Sequence, residues 1–151
     1  MGKTFVRGLL MAAVLAALTT AAHASGHGDG GHSRTCSNTS LRGSFGFTSQ
    51  GTLLALPAPL AGPFAEIGRQ TFDGSGNTDG AATLSANGNI VRVTVHGTYA
   101  VNPDCTGSMA LLVLPLGITV NLDFVIDDEG GELRAIVTDA GAVESRVYKQ
   151  F

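Results

Sequence analysis

The chain has 151 residues, 44% of them apolar and only 14% charged, with 21 glycines, two cysteines and no tryptophan. That is enough for one domain and not comfortably for two. A formal net charge of −3 argues against nucleic acid and anionic membrane surfaces as partners.

Residues 1–24 read as a signal peptide. Lys3 and Arg7 supply a positive start, residues 9–18 are an apolar run too short to span a bilayer, and Ala22-His23-Ala24 fits the small-x-small cleavage pattern. Cleavage after Ala24 leaves 127 residues with seven basic and twelve acidic side chains, a net charge of −5, and a secreted or periplasmic product. No cysteine stands just after the cleavage site, so no stable membrane anchor is expected.

Residues 25–35 form a Gly/His-rich arm without the apolar residues needed to fold alone. If the mature chain begins Ser25-Gly26-His27, its α-amine, two amide nitrogens and the His27 imidazole can enclose Cu(II) or Ni(II) in a square plane. The bland alternative is a plain linker, and no other cofactor is expected.

Residues 36–151 are expected to form a single domain. Cys36 and Cys105 are the only cysteines, neither in a Cys-x-x-Cys pair nor beside a histidine, so an exported chain should join them in a structural disulfide. In 41–49, Phe45 and Phe47 share one strand face. Residues 52–63 are apolar but broken by three prolines, which fits an edge strand and loop or a flap across one end. Residues 64–72 resume as a strand. Asp73-Gly74-Ser75-Gly76-Asn77 is its turn; its alternating oxygens imitate a calcium loop, but Leu84 stands where the bidentate glutamate belongs.

Asn87-Gly88 is a strong hairpin signal, leading into Val91, Val93 and Val95 on one face with Arg92 and Thr94 on the other. Thr98, Tyr99 and Val101 continue as a strand into the Asn102-Pro103-Asp104 turn, the centre of a meander. Residues 109–114 are apolar on both faces, and three further alternating runs follow at 118–124, 133–137 and 143–148. Short strands at hairpin spacing, without a long crossover, predict an all-β, antiparallel up-and-down (calycin-like) barrel of about eight strands, with a β-sandwich as the alternative.

Three segments carry a resemblance: 41–47, 72–77 and Gly97-Thr98-Tyr99-Ala100-Val101-Asn102-Pro103-Asp104-Cys105-Thr106-Gly107. On these the chain resembles a family of small exported bacterial proteins of unknown function, which implies an exported barrel and no activity. More distantly, the meander is similar in topology to allene oxide cyclase and dirigent-like barrels. No catalytic residue transfers, because the Gly-Gly-Thr-Gly-x-Phe type segment is missing.

For function, Glu66 and Arg69, in an otherwise apolar strand, and His96 and Tyr99, with Asp104 nearby in sequence, are the ligand-pocket candidates. No nucleophile elbow or zinc-protease spacing accompanies them, so an isomerase-like enzyme is the alternative and a non-enzymatic binding protein the expectation. The apolar surplus in 53–60 and 109–114 suits a small apolar ligand, a protein partner or a homo-oligomer contact. The chain ends in Phe151 as many outer-membrane barrels do, yet Lys149 and the shortage of Trp and Tyr leave it without their aromatic girdles.

Overall fold

The computed structural model describes residues 35–151, so the signal peptide, most of the arm and the Ser25-Gly26-His27 site lie outside the described residues. Eight strands run in chain order: β1 (Arg42–Leu53), β2 (Gly62–Asp73), β3 (Asn77–Ala86), β4 (Asn89–Val101), β5 (Thr106–Leu114), β6 (Ile118–Asp127), β7 (Glu132–Val137) and β8 (Ala142–Gln150). Each pairs antiparallel with the next, and β8 returns to β1, so the sheet is a closed up-and-down barrel rather than a sandwich. Closure removes every exposed sheet edge.

The alternation of side chains fixes what faces inward. Phe45 and Phe47 of β1, Phe64 and Phe72 of β2, and Val93 and Val95 of β4 are buried inside, whereas Arg69, Arg92, Asp123 and Arg134 stand on the outer wall. The lumen is mainly apolar, and the outer wall mixes polar and charged side chains with exposed Ile67, Ile90, Ile136 and Val143, unlike the continuous outward apolar band of a membrane-spanning barrel. Among the described residues, no helix is long and apolar enough to cross a membrane.

The two ends differ. At the base the chain enters through a short 3₁₀ turn, Asn38–Ser40, and the turns at 74–76, 102–105 and 128–131 gather around it. At the mouth lie the connections 54–61, 87–88, 115–117 and 138–141.

The base is plugged. Tyr99 Oη accepts from the Gly74 amide (2.9 Å) and shares its proton between the carbonyls of Leu41 (2.8 Å) and Asn38 (3.1 Å). Asn38 Oδ1 accepts from the Val101 amide (2.8 Å), and the Cys36 amide donates to the Pro103 carbonyl (3.1 Å). The Cys36–Cys105 disulfide, with Cα atoms 5.0 Å apart, locks this entry segment to the β4–β5 turn. In the β2–β3 turn the Asp73 carboxylate accepts from the amides of Ser75, Gly76 and Asn77 and from the Asn77 side chain. These donors hold its pKa down to about 2. The suspected calcium loop is thus a self-satisfied turn. All three segments that carried the family resemblance meet at this base.

Above the plug, an aromatic column fills the lower lumen. Phe72 packs edge-on against Phe45 (5.4 Å) and Tyr99 (5.2 Å), and Phe47 lies 5.1 Å from Tyr148. Each such pair adds about 0.5–1.5 kcal/mol beyond its buried area. Glycine makes the column possible: a Cβ at Gly68 would stand 2.7 Å from Phe47 Cε1 and 2.6 Å from the Ala81 carbonyl.

Candidate functional site

The chemistry sits where the column ends, on the mouth side. Cross-strand register sets Glu66 of β2, Ser49 of β1 and Arg146 of β8 in one inward-facing row, with Glu144 two residues nearer the mouth. The four side chains are between 5% and 8% exposed. Ser49 Oγ donates to Glu66 Oε2 (3.0 Å), and Arg146 Nη2 meets the same oxygen at 3.3 Å. Arg146 Nε donates to Glu144 Oε1, and its guanidinium carbon lies 5.3 Å above the Phe47 ring.

Two buried carboxyl groups therefore share one guanidinium. Burial is the largest influence on Glu66 and raises its pKa; Arg146 and the Ser49 hydroxyl pull it back, and Glu144 adds repulsion. Burial also works against charge on Arg146, yet Tyr148, Glu66 and Glu144 together hold the guanidinium above its ordinary range. The guanidinium stays charged, and Glu66 is the carboxyl that burial raises above its ordinary value.

Leu53, Leu56, Leu84, Val113, Leu116 and Val120 complete an apolar wall around this triad. They enclose a cavity of about 40 Å³, room for roughly three waters. The proline-broken segment, expected as edge strand or flap, is the flap: 54–61 crosses the mouth. The Leu54 and Ala55 amides donate to the Gly141 carbonyl (2.7 and 3.0 Å). On its other side the Pro59 carbonyl accepts from the side chains of Asn87 and Asn89, both at 3.2 Å. A larger hollow of about 620 Å³ follows β5–β7 on the outer wall, but it is shallow, open to solvent and lined by outward side chains such as Ser108, Asp123 and Arg134.

Of the pocket candidates read from sequence, only Glu66 lines this cavity. Arg69 is a correction: three positions along β2 from Glu66, it has the opposite parity and stands exposed on the outer wall. His96 is another, lying outside on β4 with Nδ1 2.6 Å from Asp79 Oδ1 of its cross-strand partner. Tyr99 is inward but belongs to the base plug, its hydroxyl already engaged. The residues missed were Ser49, Glu144 and Arg146. Their signal is parity: Glu144 and Arg146 share the face of Tyr148, a fully buried aromatic. Among the described residues no group of three or more His, Cys, Asp or Glu is gathered in a way that could hold a metal. No family model, no curated protein and no solved structure matches the chain.

Proposed function

We propose that this chain is an exported, non-enzymatic binding barrel, akin to the small exported proteins its motifs resemble, whose mouth takes one small, mainly apolar guest. One observation carries the reading: a buried Glu66–Arg146–Glu144 triad set into an otherwise apolar cavity beneath a flap. A structural core gains little from burying two carboxyls on one cation, since apolar replacements are often neutral or stabilising. A binding site gains orientation from a few polar groups on an apolar wall. The cavity admits a polar head as it stands, and a longer apolar body needs the flap to lift from Gly141 and Pro59.

The test is native mass spectrometry of protein purified from its producing cell, with a Nile red titration. A retained apolar guest and one dye per chain are expected. An empty protein that ignores Nile red and runs as a stable dimer or trimer would overturn the reading in favour of an interface between copies. Such an interface would use the outward Ile136 and Val143, which are 57% and 64% exposed. A second reading, an isomerase-like enzyme, is favoured by the burial-raised Glu66 carboxyl in the cavity. It requires turnover that Glu66→Gln abolishes and that Arg69 or His96 substitutions, on the outer wall, leave intact.

A further inference from the structure

The triad holds more acceptors than donors on its cavity side. Arg146 Nη2 and the Ser49 hydroxyl both serve Glu66 Oε2, and Arg146 Nε serves Glu144 Oε1. The second oxygens, Glu66 Oε1 and Glu144 Oε2, receive no hydrogen bond from any described residue. Nor are they sealed in: among the described residues, the enclosed side-chain polar atom without a hydrogen bond is Arg146 Nη1, which lies on the Tyr148 side of the guanidinium. Both glutamates line the mouth cavity on residues 8% and 5% exposed, so their second oxygens open into it. The leucines and valines of the wall offer no donor, and one has to enter with the guest. Charge selects its kind. Two carboxylates face one guanidinium, which leaves the site one negative charge in excess. An alcohol would fill the hydrogen bonds and leave the excess, whereas an ammonium fills them and cancels it. A cation there also offsets the burial that raises Glu66.

We infer that the mouth cavity selects guests in which an apolar body ends in one protonated primary amine, its N–H groups donating to Glu66 Oε1 and Glu144 Oε2, and that it rejects the matching carboxylate. This rests on the binding-barrel reading and adds the chemical class of the guest. An ammonium head is roughly the size of one water, so the cavity of about 40 Å³ admits it with its first carbon. The apolar body then lies against Leu53, Leu56 and Leu116 beneath the flap.

Three probes of equal chain length test this on the mature protein: hexylamine, hexanol and hexanoate, titrated at neutral pH and followed by NMR of the side-chain carboxyl carbons. Hexylamine should bind about tenfold tighter than hexanol, or better, and shift the carboxyl carbons of Glu66 and Glu144, while hexanoate stays weakest. Glu66→Gln/Glu144→Gln/Arg146→Met keeps the cup and removes its excess charge, and should bring hexylamine level with hexanol. If hexylamine and hexanol bind the parent equally, the ammonium inference fails while the apolar cup stands. It is overturned as well if hexanoate matches hexylamine, if the preference survives in the triple variant, or if the shifts are confined to outer-wall carboxyls such as Asp79 and Asp123. Should the triple variant fail to fold, the probe ranking and the carboxyl shifts of the parent still decide. If none of the three binds, the binding-barrel reading itself has failed.

Discussion

Replacing Arg146 by methionine keeps most of the side-chain volume and removes the charge. Glu66 and Glu144 then remain in the lumen, 8% and 5% exposed, with no cation between them. Breaking a buried pair by removing one partner costs about 3–5 kcal/mol, because the survivor stays buried and uncompensated. Here two carboxyls survive, and the Phe47 contact goes with the guanidinium, so the upper half of that range applies. With the three groups almost fully buried, solvent screening takes little off the figure. For a domain of this size, roughly 4 °C of melting temperature per kcal/mol gives a drop of about 16–20 °C. Urea unfolding at neutral pH measures the free energy directly. The control is Glu66→Gln/Glu144→Gln/Arg146→Met, which neutralises the whole triad and should return to within about 1.5 kcal/mol of the parent. An Arg146→Met loss below about 1 kcal/mol, or a triple variant no better than the single, would refute the buried-charge account.

The disulfide closes a loop of 69 residues, so Cys105→Ser should cost about 4 kcal/mol in the chain-entropy model, read as a lower urea midpoint; an unchanged midpoint counts against it. Glu66 sets a pH dependence whose sign follows from its raised pKa. Below its ordinary value of 4.5 the carboxyl is protonated folded and unfolded alike; above it the unfolded chain releases the proton first, so stability falls as pH climbs toward the folded value. Glu66→Gln should remove that slope in urea midpoints taken between pH 4.5 and neutrality, and parallel curves for the two proteins would contradict it. If processing leaves Ser25 first, one equivalent of Cu(II) should give a visible d–d band that fades on acidification and is lost in His27→Ala. N-terminal sequencing that starts elsewhere, or a band that survives the substitution, removes this site.

Much of the architecture was legible because the lumen is apolar. Val91, Val93 and Val95, or Phe45 and Phe47, announce their face by alternation, and Asn87-Gly88 and Asn102-Pro103-Asp104 announce the turns between. The site was harder because there the pattern inverts. In Val143-Glu144-Ser145-Arg146-Val147-Tyr148 the hydropathy of the valines points to a buried Val143 and Val147, yet both face out and the two charges face in. Tyr148 decides the matter, since its ring belongs to the aromatic column and its hydroxyl reaches Gln70 Oε1 at 3.3 Å. Pairing Glu66 with Arg69 failed for a related reason: nearness in sequence misleads in a strand, where residues three apart face opposite ways. The cation for Glu66 comes instead from β8, two strands away around the barrel and 80 positions down the chain.

Seven of the eight strand pairings join neighbours along the chain; only β1 with β8 does not. The meander can zip hairpin by hairpin, and the ring then waits on one slow event, the meeting of two strands about 100 residues apart. The Cys36–Cys105 bond changes that search. Running through the bridge, the path from β1 to β8 shrinks to about 55 residues, which lowers the closure entropy by about 0.5 kcal/mol. Oxidised chains should therefore complete the ring about two to three times faster than Cys36→Ser/Cys105→Ser chains in stopped-flow refolding. Equal rates would mean that closure is not the limiting step. In that sense the bond is a shortcut for the seam as well as a staple for the base.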